Sequence, residues 1–373
     1  MALNTASRIP SLDGLRGIAA VVIMIFHYNN VYLPQAALRG MLPLMRPFLD
    51  HAYLAVDLFF LMSGFVMAHV YGLQLSSNLR AHWWDFTSMR FARIYPLFAA
   101  TTVVMVATRA WSGLPIDLVS FSGRSLALQP LLLQAAGDGL SWNYPSWSIS
   151  TEAAAYVFFA FAAGLLLRGR YPRFMAAACI AILAVLCSKH QGHLHLYWGI
   201  SSLLRTLAEF SLGVLLWRAH AAGAAPPRIW PGVIASACAA LAVFTGWDLP
   251  VVGVLAYLIH QSVLSKSTLA PVLNSAPAVA LGAWSYSLYL WHVPVHYAVM
   301  SVFAAGGHPV ETLSLVEARW LMLATMLAVV YLSYVSFTHF EVPVRRWLRR
   351  RLMPAVPQVQ TGIAAPVRDT NPS

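Results

Sequence analysis

Arg16 and His27 stand eleven residues apart in a segment that is otherwise almost wholly apolar, Ser11-Leu-Asp-Gly-Leu-Arg16-Gly-Ile-Ala-Ala-Val-Val-Ile-Met-Ile-Phe-His27-Tyr28. On a helix, eleven steps of about 100° return to within about 20° of the start and climb about 16 Å, so both side chains share one stripe. An ionisable group at bilayer depth costs several kcal/mol and marks a functional candidate. A neutral imidazole there can accept a hydroxyl proton or act as a nucleophile, and a guanidinium offers donors to an anion. A purely structural account pairs Asp13 with Arg16 across one turn at the interface and leaves His27 as a satisfied core histidine. The shared stripe favours a lined polar passage.

Other polar groups fall in similarly apolar surroundings. Asp57 opens Asp57-Leu-Phe-Phe-Leu-Met-Ser63-Gly64-Phe65, where Ser63 and Gly64 offer either a site surface or a place for another backbone to pack closely. Arg90 and Arg93, in Arg90-Phe-Ala-Arg93-Ile-Tyr-Pro96, share a face just before a predicted span. They serve either as topology anchors or as a clamp for phosphate, whose oxygens suit the arginine fork. Trp147-Ser148-Ile-Ser150-Thr151-Glu152 sets a carboxylate about one turn into a helix. There Glu152 either orients His27 or ties helix ends together. Arg205 and Glu209 have the i, i+4 spacing of an internal ion pair. His292 and His296 share that spacing but lack the companion acid of a zinc helix, so no metal is expected.

These residues must be held by membrane helices. The chain has 373 residues, 59% hydrophobic and 10% charged, where a soluble domain carries about 25% charged residues. Segments near 12–33, 52–72, 94–111, 147–168, 174–189, 195–217, 229–246, 249–266, 275–303 and 318–339 approach the roughly 20 apolar residues that a span needs. The expected fold is therefore all-α, a polytopic bundle of about ten transmembrane helices. With the N-terminus inside, the inner loops hold about sixteen of the 24 basic residues against about six outside, the bias of the positive-inside rule. An even number of spans then puts both termini in the cytoplasm. The net charge of +11 is explained by orientation, and no nucleic-acid partner is expected.

Long outer connections are expected at 34–51 and 112–146, the latter with an apolar stretch, 126–136, suited to a re-entrant or surface helix. Arg8 precedes the first span without a small-residue cleavage site after it, so that span should be retained. Cys179, Cys187 and Cys238 lie in apolar runs and suggest neither a metal nor a disulfide framework. Residues 1–346 read as one membrane domain, and 347–373 as a basic then disordered tail.

In combination these motifs resemble the membrane-bound acyltransferase family 3, O-acyltransferases that modify cell-surface glycans. The resemblance also rests on Ser285-Tyr-Ser-Leu-Tyr-Leu-Trp-His292 and Glu341-Val-Pro343, and runs from Ser11 to about Arg346. It implies location in the bacterial inner (plasma) membrane. It further implies transfer of an acyl group, usually acetyl, from cytoplasmic acyl-CoA to a hydroxyl of an extracytoplasmic sugar or polysaccharide. His27 would be the central catalytic residue, with Arg16 its partner on the donor path and Glu152 in support. Arg90 and Arg93, with Arg16, would meet acyl-CoA, and Asp57, Ser63, Trp147, Ser148 and His292 would line the substrate path. Some relatives carry an appended esterase-like domain, for which this chain leaves no room. His27 would either activate the acceptor hydroxyl or carry the acyl group itself.

Two other classes compete. A transporter of a sugar or lipid-linked glycan intermediate would also use buried ionisable groups, but no pair of halves with matching broken helices is visible. A sensor or scaffold leaves the Arg16–His27 stripe and the Arg90–Arg93 pair unexplained.

Overall fold

In the computed structural model, residues 9–32, 46–112, 121–137, 141–223, 246–264 and 269–352 are described. They are helical throughout, with no strand among them. The principal helices are α1 (Pro10–Tyr32), α2 (Ala55–Ser77), α3 (Leu79–Ser112), α4 (Trp147–Arg168), α5 (Pro172–Lys189), α6 (Gly199–Ala221), α7 (Leu249–Val263), α8 (Ala276–Ala305) and α9 (Leu315–Ser336). A π-helical turn, Phe337–Glu341, joins α9 to α10 (Val342–Leu352). Pro172, Pro250 and Pro277 start α5, α7 and α8, where the missing N–H costs nothing. A Ser314–Glu317 capping box starts α9.

Eight helices are long and apolar enough to cross a membrane. Their outward faces carry Val103 and Trp111, Phe161 and Leu165, Phe174 and Val185, and Leu327 and Tyr331, all exposed. Water would penalise that surface and lipid would not. The protein is a polytopic helical membrane protein. Of the ten spans expected, 229–246 lies outside the described residues except for its last residue, and the tail from 353 on lies outside them too. The span expected at 249–266 is the 15-residue α7, short of the roughly 20 residues that cross a bilayer. The 126–136 stretch is no span: it breaks into Gly123–Leu128, Gln129–Leu131 and Gln134–Ala136 and folds onto the start of α4. There the Ser150 hydroxyl donates to the Leu132 carbonyl and accepts from Ala135 N–H.

One expectation needs correction. The third span was expected to start at 94, with Arg90 and Arg93 in the loop before it. Instead α3 runs 34 residues from Leu79, a length of about 50 Å, and both arginines sit well inside it. The charged and polar residues between Leu79 and Arg93 hide that stretch from a search for apolar length.

Glycines set the two closest helix contacts. A Cβ on Gly64 in α2 would lie 1.9 Å from the Phe210 carbonyl oxygen in α6, and one on Gly213 in α6 would lie 2.0 Å from the Leu61 oxygen in α2. The Ser63-Gly64 surface is thus a close-packing surface, and Ser63 is free to point elsewhere. Between α1 and α8, a Cβ on Gly17 would lie 2.5 Å from Gly282 N.

Candidate active site

The end of the bundle that carries Arg168, Arg170, Arg173, Arg218 and Arg345–Arg351 is here the basic end, and the other the far end. Arg16 lies on α1 toward the basic end. It donates to the Gly282 carbonyl through Nε (3.2 Å) and Nη2 (2.8 Å), and to Asp13 Oδ1 (2.8 Å). Gly282 allows both the close helix approach and this reach.

Arg16 borders a cavity of about 150 Å³ between α1, α2, α3, α4 and α8, which Ser63, Arg90, Arg93, Glu152 and Tyr289 also line. Three guanidinium groups face one carboxylate there. Glu152 accepts from the Ser63 hydroxyl (2.9 Å) and from the Tyr156 hydroxyl. Arg93 donates to Glu341, whose second oxygen accepts from Ser287 at 3.0 Å. The π-helical turn places that carboxylate, a device frequent at functional sites. Arg90 donates to the Tyr71 hydroxyl (2.8 Å) and lies over the Tyr71 ring. Its buried Nε has no partner. A larger apolar cavity of about 530 Å³, lined by Leu131–Leu133, Val157 and Ile200, adjoins this one at Arg90, Ile94 and Tyr156.

Tyr289 forms the far wall of the central cavity, and its ring lies 5.9 Å from His292. Its hydroxyl meets Ser148 Oγ at 2.8 Å and donates to the Pro145 carbonyl at 2.9 Å. Behind it comes a layer of histidines. The His27 ring lies 5.1 Å from His292 and 5.6 Å from Tyr144. His292 is fully buried and neither ring nitrogen has a partner. His296 packs instead between Tyr28 and Tyr32, so the two α8 histidines do not converge on one ion. His195, in the loop before α6, stacks on Tyr53 at 4.6 Å and meets Phe26 at 6.1 Å. Burial, then the charge of Arg205, lowers its pKa below the usual histidine value.

The structure thus brings Arg16, Ser63, Arg90, Arg93, Glu152 and Ser148 to one cavity, and His27 and His292 to the adjoining layer. Glu152 is held by Ser63 and Tyr156 rather than by His27. Asp57 is taken up otherwise. It is wholly buried and accepts two bonds from Arg205, through Nε at 3.1 Å and through Nη2. Arg205 also donates to the Leu196 carbonyl at 3.1 Å and lies beneath Trp147, 5.7 Å from its ring. Glu209 sits 3.5 Å from Arg205, so the i, i+4 pair exists but Asp57 is the closer partner. Tyr289 and Tyr71 were missed. Tyr289 stands three residues before His292, one turn away on the same helix, but no spacing in the sequence ties Tyr71 to Arg90, and only packing of α2 against α3 does so.

Comparison with known proteins identifies the family. The profile of acyltransferase family 3, described as an acyltransferase domain, matches residues 9–337, and the chain belongs to that family. It is 23% identical over 379 residues to a Staphylococcus aureus protein named "Putative O-acetyltransferase", covering 91% of this chain and 57% of that one. It is 27% identical over 386 residues to "Acyltransferase MdmB" of Streptomyces mycarofaciens, covering 92% and 93%. The chain therefore spans little more than half the length of the staphylococcal relatives. No solved structure matches it.

Proposed function

We propose that this chain is a membrane O-acyltransferase that moves an acyl group, acetyl in the simplest case, from acyl-CoA at the basic end to an acceptor hydroxyl at the far end. The acceptor is a sugar or polysaccharide, the basic end faces the cytoplasm, and the membrane is the bacterial inner membrane. The observation that carries this reading is the cavity where Arg16, Arg90 and Arg93 converge, separated only by Tyr289 and His292 from His27.

The chemistry follows from the groups present. Arg90, with its unpartnered Nε, and Arg16 bind the anionic part of the donor, as guanidinium forks suit phosphate oxygens. The acceptor oxygen attacks the thioester carbonyl as His27 takes its proton. The C–S bond breaks, the acyl group passes to oxygen, and the proton taken by His27 is returned to the departing thiolate, so that CoA leaves as its thiol. If His27 itself attacks first, the C–S bond breaks, CoA thiolate leaves and an acyl-imidazole forms, from which the acyl group passes to the acceptor oxygen as the hydroxyl proton goes to the thiolate or to solvent and the imidazole is released. The same residues serve both routes. Asp57 supports the site indirectly, by fixing Arg205 under Trp147.

The test is transfer of radiolabelled acetyl from acetyl-CoA by the purified protein in liposomes, with cell-envelope glycans as acceptor. Label on glycan that depends on CoA and is lost in His27→Ala supports the reading. Passage of unmodified glycan across the vesicle without CoA would instead identify a transporter.

A further inference from the structure

Three loops meet at the far end around one carboxylate. Asp248, just before α7, is wholly buried at the periphery of the bundle. His51, just before α2, has Nδ1 2.9 Å from Asp248 Oδ1, and His193, between α5 and α6, has Nδ1 3.8 Å from Oδ2. All three ligand atoms lie within 4.8 Å of one another. The loops are locked together by the Asp248 N–H, which donates to the Gly192 carbonyl at 2.9 Å. The carboxylate is also held through Oδ2, which accepts from Leu194 N–H at 2.6 Å and from the Tyr53 hydroxyl.

We propose that His51, His193 and Asp248 form a divalent transition-metal site, zinc by its ligand chemistry, which clips these three loops together beside the His27 layer. Two imidazoles and a carboxylate are the ligand set of many open zinc sites. Donors 2.0–2.1 Å from a tetrahedral ion stand about 3.3 Å apart; His51 Nδ1 stands 2.9 Å from Asp248 Oδ1 and His193 Nδ1 3.8 Å from Oδ2, and each of the three residues offers a ligand atom within 4.8 Å of the other two. The Leu194 and Tyr53 donors supply the outer shell that orients a ligating carboxylate. His193 is half exposed, which gives the ion an entry path and leaves the fourth position to water. No other such cluster occurs among the described residues.

The site also has something to position. Tyr53 stacks on His195, and both rings meet Phe26, the neighbour of His27 on α1. A clip at His51, His193 and Asp248 fixes this aromatic wall at the far-end approach to His27. The site stands independently of the acyl-transfer reading, since metal content is measured without turnover.

The experiment uses tag-free protein in detergent, loaded with a small excess of Zn2+, gel-filtered and analysed by mass spectrometry for metal. About one zinc per chain is expected, falling to background in His193→Ala and in His51→Ala. Zinc should raise the melting temperature of chelator-stripped wild-type protein, as any ligand of the folded state does, and leave His193→Ala unmoved. Because His193 is half exposed, that variant should fold even if Asp248→Asn does not. Background zinc in the wild type, with a melting temperature indifferent to chelator and metal, would make the cluster a hydrogen-bonded clip and overturn the proposal. Equal zinc in wild type and both variants would also overturn it.

Discussion

Asn143 donates through Nδ2 to the carbonyl of Leu290 at 3.0 Å, four residues before Pro294 in α8. A proline has no N–H for the carbonyl four residues back, so the helix opens at Leu290 and the loop before α4 closes it. The same loop then carries Tyr144 against His27. A helix defect thereby aligns a wall of the site.

Asn143→Ala should leave that carbonyl without its partner and cost about 2 kcal/mol. Pro294→Ala restores the helical N–H, so the double variant should recover part of the loss. Melting in detergent across the four proteins measures the coupling, and strict additivity would break the link between Asn143 and the proline.

Asp57 and Arg205 allow a direct test of structure against substrate binding. Asp57→Ala removes the closer partner of a buried guanidinium and should destabilise the protein by about 3–5 kcal/mol, whereas Asp57→Leu with Arg205→Met and Glu209→Met, which removes all three buried charges, should regain most of it. If Asp57 instead contacts substrate, the triple variant would be stable and have a raised acceptor KM. Chemical unfolding and KM together separate the two outcomes.

Gly64→Val should disrupt the α2–α6 contact, because its Cβ would lie 1.9 Å from a backbone oxygen, which cannot move aside as a side chain can. Overpacking costs typically about 1–3 kcal/mol, and a backbone clash belongs at or above the top of that range. Trypsin sensitivity of membranes should rise in Gly64→Val and stay at the wild-type level in Gly164→Ala, whose Cβ would meet nothing within 4 Å.

Much of this architecture is legible in the sequence, because apolar length and arginine bias follow from the bilayer itself. The α4 bounds, 147–168, match what hydropathy expects. The Ser63-Gly64 packing surface and the Arg16–His27 stripe follow from side-chain size and helical period. What the sequence hides depends on which helices become neighbours. Arg93 and Glu341 are 248 positions apart, and Glu341 turns inward only because of a π-helical turn. His51, His193 and Asp248 come from three separate loops. Local periodicity carries no information about such meetings.

Arg90 and Arg93 should separate where the sequence treats them as one pair. Arg93 already has a carboxylate in Glu341, and Arg93→Ala leaves that buried acid uncompensated, so its main effect should be on stability. Arg90 bonds only a neutral phenol and keeps a buried Nε unpartnered, so its charge is available to a donor anion. Loss of a charge-assisted bond is worth about 1.5–3 kcal/mol. Arg90→Ala should therefore raise the KM for acyl-CoA roughly tenfold to a hundredfold, with the acceptor KM and the melting temperature nearly unchanged. Arg90→Lys should recover only part of this, since an ammonium cannot reproduce the fork. An unaltered acyl-CoA KM in Arg90→Ala would remove Arg90 from the donor site and leave it a structural cation stacked on Tyr71.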